Sequence, residues 1–193
     1  MSNHGDILLV HSAKSPSLPL TDVYRNLPDK LLSFYQWTAE NVAFDYIGKT
    51  DDDSFVLLEN ILQVLDDTTS KKSWFGNFRL DAPVARWGKW AELDYTASAY
   101  PAFACGGGYV LSHDLVRWLT SNIDYLHVYQ GEDVSMGIWL SAILPKLIQN
   151  RLWLCDGTCD PSLLVSTQLN SSSIKRMWKN KENCQNPCWC GPT

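Results

Sequence analysis

Short apolar runs alternate with amphipathic helical stripes along this chain, and acidic residues gather where one gives way to the other. That alternation limits the possible folds more than any other feature. "GDILLV", with Asp6 to Val10, reads as a buried strand, and the Ser- and Pro-rich "HSAKSPSLPL" after it reads as loop. "NLPDKLLSFYQWTAENV" predicts a helix: Pro28 suits a first turn, Asp29 favours the positive end of the dipole, and Leu31, Leu32, Tyr35 and Ala39 form an apolar stripe. "FDYIGK" predicts the next strand. A second helix is expected from about Val56 to Leu65, with Leu58, Ile61, Leu62 and Leu65 on one face. The basic turn "SKKSW" opens a Trp/Tyr-rich stretch of irregular strands that runs to Tyr100. "YPAFACGGGYVLS" punctuates the chain, the helix "HDLVRWLTSN" follows, and "GEDVSMGIWLSAIL" starts acidic and continues helical until Pro145 stops it. "LIQNRLWLC" reads as a final strand, and segment 161–193 as a Cys-rich, less regular end. The 193 residues thus predict a single α/β catalytic-sized domain with a mixed central sheet and no internal repeat.

Net charge is −5 and no Lys/Arg cluster is longer than a pair, so no nucleic-acid partner is expected. No apolar run reaches the length of a membrane span, and the first residues do not form a signal peptide. The six cysteines point elsewhere. Cys105 stands alone, while Cys155, Cys159, Cys184, Cys188 and Cys190 crowd the last third. Their spacings lack the paired CxxC knuckles of most zinc modules and favour disulfides in an oxidising compartment, with the pairing left open. "NSSS" offers an N-glycan acceptor at Asn170. Nine tryptophans serve either a core or a sugar- or base-stacking surface.

Three constellations carry possible chemistry. In "KTDDDSF", strand alternation would set Asp51 and Asp53 on one side and Asp52 opposite. Paired carboxylates at a strand end suit Mn²⁺ or Mg²⁺ shared with a diphosphate. The structural alternative is stabilisation by a following helix dipole, about 0.3–1 kcal/mol per charge. In "QGEDVSMG", Glu132 and Asp133 stand at another helix entrance, as cap or as general base. The run Gly106, Gly107 and Gly108 permits close approach or positive φ; it is neither a Walker loop nor a dinucleotide fingerprint, and a tight turn is its plain alternative.

Taken in order, "VYRNLPDKLLSFYQW", "KTDDDSF", "YPAFACGGGYVLS" and "GEDVSMGIWLS" resemble the β-1,3-glycosyltransferases of glycosyltransferase family 31, from about Thr21 onward. "WFGNFRL", "GKWAEL" and "LWLC" bring the resemblance nearest to members that transfer N-acetylgalactosamine. The resemblance implies a GT-A-like fold that transfers a sugar from a UDP-sugar with inversion. It makes Asp51 and Asp53 ligands of Mn²⁺ or Mg²⁺ on the diphosphate, turns Asp52 to the ribose or sugar, and makes Asp133 the base. Glu132, Gly106, Gly107, Gly108 and Tyr109 would shape the donor and acceptor pocket. It further implies UDP-GalNAc as donor and a terminal N-acetylglucosamine as acceptor, in β-1,3 linkage, on O-mannosyl glycans such as that of α-dystroglycan. The setting would be the Golgi or endoplasmic reticulum lumen, where relatives are membrane-anchored. The chain departs from the pattern in three places. Nothing before "MSNHGDILLV" supplies the family's first nucleotide-binding strand and helix, "HSAKSPSLPL" interrupts it, and no histidine follows Asp133. An N-terminally truncated or alternatively spliced chain is therefore expected. A β-1,3-galactosyltransferase, an inactive fragment that binds metal, glycan or a partner, and (on residue types alone) a glycoside hydrolase with two facing carboxylates stay open.

Overall fold

The computed structural model describes residues 24–66 and 71–191. The strand expected at Asp6 to Val10 and the loop over 11–20 lie outside the described residues. Helix α1 spans Leu27–Asn41 with Pro28 in its first turn, and buries Leu31, Leu32 and Tyr35 as the stripe requires. Its last buried position is Thr38 rather than Ala39; the Thr38 hydroxyl donates to Phe34 O at 2.8 Å, which lets a polar side chain occupy the apolar face.

Strand β1 (Tyr46–Thr50) leads through the aspartates to the short β2 (Phe55–Val56), and only then to α2 (Leu58–Asp66). The second helix therefore starts later than expected. Of its four-leucine-type stripe, Ile61 and Leu65 are buried, while Leu58 and Leu62 remain 61% and 51% exposed. The covered seam is the i, i+4 pair, with Val64 partly buried beside it.

Strands β3 (Ser73–Gly76) and β4 (Phe78–Arg79) follow, then a long irregular segment, β5 (Phe103–Ala104) and β6 (Gly108–Ser112). The irregular segment carries only an isolated Pro83–Ala99 bridge. Two side chains give it shape. Arg86 donates to the carbonyls of Glu92, Tyr95 and Ala97, and buried Glu92 accepts from the N–H groups of Asp94, Tyr95 and Gln130. Helices α3 (His113–Ser121) and α4 (Glu132–Ser141) come next.

The expected single strand in "LIQNRLWLC" is two, β7 (Lys146–Gln149) and β8 (Trp153–Leu154), in different sheets. Asn150 breaks the run: its side chain accepts from Leu152 N and its carbonyl from Trp153 N, the behaviour of an Asx turn. Beyond Asp160, where little order was expected, β9 (Val165–Ser166) and the 14-residue helix α5 (Ser171–Cys184) form. Asn170 caps α5 through its side-chain oxygen, which accepts from Ser173 N.

The main sheet has the order β1-β6-β3-β7; β3 and β7 run parallel and the other pairs antiparallel. Central β6 is buried along its whole length. Its alternate residues divide two cores: Tyr109 and Leu111 join α1, α3 and α4, whereas Val110 joins Ile61 and Leu65 of α2 with Trp153 and Val165. A three-stranded sheet β2-β9-β8 lies beside α5, whose Met177 closes a third small core with Phe55, Leu57 and Leu163. All six cysteines pair, as Cys105–Cys155, Cys159–Cys188 and Cys184–Cys190, which removes the zinc alternative. The tryptophans divide between roles: Trp74, Trp139 and Trp153 are core, while Trp87, Trp90, Trp178 and Trp189 are more than half exposed.

Candidate functional site

Antiparallel pairing of β1 with β6 sets Thr50 opposite Gly108. The aspartates therefore leave β1 beside the glycine run, although the two stretches lie more than fifty residues apart. They do not continue as extended chain: Asp52 and Asp53 form a turn, so strand alternation is not what orients them. Both Asp51 and Asp53 are instead tied to the segment around Gly107, by different routes. The carbonyl of Gly107 accepts from Asp51 N, from the Thr50 hydroxyl at 3.0 Å and from the Ser54 hydroxyl at 3.2 Å. Asp53 Oδ1 accepts from the Thr167 hydroxyl at 3.0 Å, and Thr167 packs on Gly107. Asp52 is exposed at the tip. Since β2 separates the triplet from α2, helix-dipole stabilisation does not account for three adjacent charges.

The glycines answer to this crowding, and none of the three has positive φ. A Cβ on Gly107 would stand 2.4 Å from Thr167 Cγ2, and one on Gly108 3.3 Å from both Lys49 O and the Trp153 ring. These two glycines thus admit the protein's own chain. Gly106 faces the acids: a Cβ there would lie 3.5 Å from Asp133 Oδ2 and 3.6 Å from Glu132 Oε2. Tyr109 is fully buried, with its hydroxyl 3.4 Å from that of Tyr35. Its ring packs edge-on against Trp74 in the core.

Glu132 and Asp133 open α4, behind Gly131 as N-cap. Asp133 Oδ1 accepts from Val134 N at 2.8 Å within the first turn, where no side chain caps the helix, and this leaves Oδ2 turned toward Gly106. Burial raises the Asp133 pKa above the usual carboxylate range, against the Val134 N–H and the charges of Lys49 and Arg79. Glu132 is pushed up to about 7, by burial first; Lys49 opposes this and Asp133 adds to it. The two carboxyls titrate as a pair.

One residue joins the two acidic groups, and sequence reading passed over it. Lys49, its side chain 10% exposed, donates to Asp51 Oδ1 at 2.6 Å and to Gly106 O, and its ammonium meets Glu132 Oε1 as an ion pair. Among the described residues the Lys49 ammonium is what meets that Glu132 oxygen. Burial opposes the charge on Lys49, but Glu132 and then Asp51 outweigh it and hold its pKa above the usual lysine value. The signal for it was its place two residues before Asp51, close enough along the chain for its ammonium to reach that carboxylate. Thr167 had no such signal, being 114 positions from the aspartate it holds.

No group of three His, Cys, Asp or Glu side chains among the described residues converges as a protein-only metal cage. Asp51 and Asp53 instead offer two hard carboxylates whose observed bonds each occupy only Oδ1. That donor set fits an ion of the Mg²⁺ type, which takes one or two carboxylates and completes its shell with water and substrate phosphate.

Residues 2–150 match the galactosyltransferase family. The UDP-GalNAc:β-1,3-N-acetylgalactosaminyltransferase 2 of Xenopus tropicalis is 50% identical over 187 residues, covering 96% of this chain and 37% of that protein. Its human counterpart of the same name is 51% identical over 173 residues, 89% of this chain and 35% of that protein. Mouse β-1,3-galactosyltransferase 6 is 37% identical over 146 residues, 74% of this chain and 43% of that protein. The chain spans less than half the length of each.

Proposed function

Because the chain belongs to the galactosyltransferase family, with a mixed α/β fold of the GT-A-like kind, we propose that it transfers N-acetylgalactosamine from UDP-GalNAc. The sugar goes in β-1,3 linkage, with inversion, to a terminal N-acetylglucosamine, on glycans of the protein O-mannosyl type. The observation that carries this reading is the Lys49 bridge, which draws the Asp51 side and the Glu132–Asp133 side into one site around Gly106.

In the transfer, Asp133 Oδ2 accepts the proton of the acceptor hydroxyl as that oxygen bonds to the anomeric carbon. The bond from the anomeric carbon to the β-phosphate oxygen breaks, and UDP leaves on the opposite face. The N–H of Val134 holds the other oxygen of Asp133, so the base is oriented before substrate arrives. Asp51 and Asp53 would hold Mn²⁺ or Mg²⁺, which as a Lewis acid supplies charge neutralisation to the departing diphosphate. Asp52, exposed beside them, is available to the ribose or sugar. The three disulfides support work in an oxidising lumen, such as the Golgi or endoplasmic reticulum. Among the described residues no helix is long and apolar enough to cross a membrane.

Calorimetric titration of UDP with and without Mn²⁺, paired with a transfer assay, tests the reading. Asp53→Ala is expected to lose the Mn²⁺-dependent part of UDP binding. Asp133→Asn is expected to keep UDP binding and to lose transfer by about 10²–10⁴-fold. UDP binding that ignores Mn²⁺, or transfer that survives Asp133→Asn, overturns it. Mn²⁺-dependent binding without transfer in the parent chain would favour a metal- and glycan-binding module instead.

A further inference from the structure

Lys49 holds the carboxylate that the proposed cation needs. Its ammonium lies 2.6 Å from Asp51 Oδ1, and the same nitrogen reaches Glu132 Oε1 and the carbonyl of Gly106. With only 10% of its side chain exposed, Lys49 has little freedom to swing into solvent, and Tyr109 lies below it with its ring 5.9 Å away. Among the described contacts nothing else neutralises Asp51, and nothing besides Lys49 meets Glu132 Oε1. Lys49 thus stands as a built-in counter-ion between two acidic groups that would otherwise repel each other.

We infer that Lys49 is a positioning residue that competes with the divalent cation for Asp51 while it holds Glu132, and through it the start of α4, against the glycine run. The inference rests on the cation reading of Asp51 and Asp53 given above. Two consequences have opposite signs. An ammonium beside Asp51 repels an incoming divalent ion, so its removal strengthens cation binding. The same removal leaves Glu132 buried without the cation that the described residues give it, which loosens the geometry around Asp133 and slows transfer. A purely structural lysine would lower both together, because a distorted triplet binds metal worse.

The test is a Mn²⁺ titration followed by electron paramagnetic resonance on the full chain, with no nucleotide present. The proteins are the parent, Lys49→Met, Lys49→Gln and Asp53→Ala. Lys49→Gln keeps a donor for Gly106 O without the charge and guards against a folding failure of Lys49→Met. At least one folded Lys49 variant is expected to bind Mn²⁺ about tenfold more tightly than the parent or better, with kcat for transfer falling while the apparent KM for Mn²⁺ drops. Equal or weaker Mn²⁺ binding in the folded Lys49 variants, with Asp53→Ala still abolishing it, overturns the role of Lys49 and leaves the cation site standing. A Mn²⁺ signal unmoved by Asp53→Ala overturns both. Failure of both Lys49 variants to fold overturns the competition, since the lysine would then be needed for the fold itself.

Discussion

Single side chains at this site are defined by what burial does to charge. Glu132 and Asp133 sit side by side in the first turn of α4, and burial raises both above the usual carboxylate range, Glu132 to about 7. A base works only when ionised, and a raised pKa means that it gains its proton at a higher pH. Transfer is therefore expected to decline, as pH falls, at a higher pH than the point near 3.9 where an unperturbed aspartate is half protonated. Glu132→Gln removes the neighbouring carboxyl but leaves the burial that raises Asp133, so an acid limb that belongs to Asp133 should persist in the variant. Profiles of kcat/KM against pH for the two proteins measure this; an acid limb near 4 in the parent, or one that vanishes in the variant, would count against Asp133 as the buried base.

At the scale of elements, the glycine run is where strands, turn and C-terminal segment meet. Thr167, just past β9, is wedged against Gly107 and bonded to Asp53, so the last third of the chain supports the acidic turn. Gly107→Ala puts a methyl group into that wedge and is expected to cost about 1–3 kcal/mol by overpacking. Urea denaturation measures this, and Thr167→Gly in the same chain should recover part of the loss, a coupling that a double-mutant cycle isolates. Additive losses would mean that the two residues do not share the space. Helix α5 has its own local determinant in the Asn170 cap, so Asn170→Ala should lower stability by about 1 kcal/mol, within about 0.5–2. An unchanged midpoint would show that the helix is held by its disulfides instead.

For the molecule as a whole, the Cys105–Cys155 bridge closes the longest of the three loops, 50 residues, and Cys105 directly precedes the glycine run. Cys155 follows β8, whose neighbour β9 leads to Thr167. One covalent link therefore spans the two segments that pack against the aspartates. The double substitution Cys105→Ala, Cys155→Ala is expected to lower stability by about 2–4 kcal/mol, and the matching pair at Cys184 and Cys190, with a separation of six, by less. Denaturant unfolding of both variants decides it: equal losses would show that loop closure is not what the longer bridge contributes.

Local pattern was enough for much of this protein. The stripe of α1, the apolar run of β1, the acid-then-helix start of α4 and the glycine punctuation before β6 each depend on neighbours in the chain, and each is legible in the sequence. So were the acidic triplet and the Glu-Asp pair as candidates, and the preference for disulfides over zinc. The limits were set by distance along the chain. Which cysteines pair, why "LIQNRLWLC" divides between two sheets and why Leu58 and Leu62 stay exposed all depend on partners far away in sequence. The glycines show this most clearly. Their permissiveness could be read from composition, but only the approach of Thr167 to Gly107, and of two acids to Gly106, decides what each admits. The tertiary structure likewise buried Tyr109 completely and made Lys49 the link between two acidic clusters. Sequence carries the chemistry available at each position, while the charge balance of a buried site is a sum over residues that only folding brings within Coulombic reach.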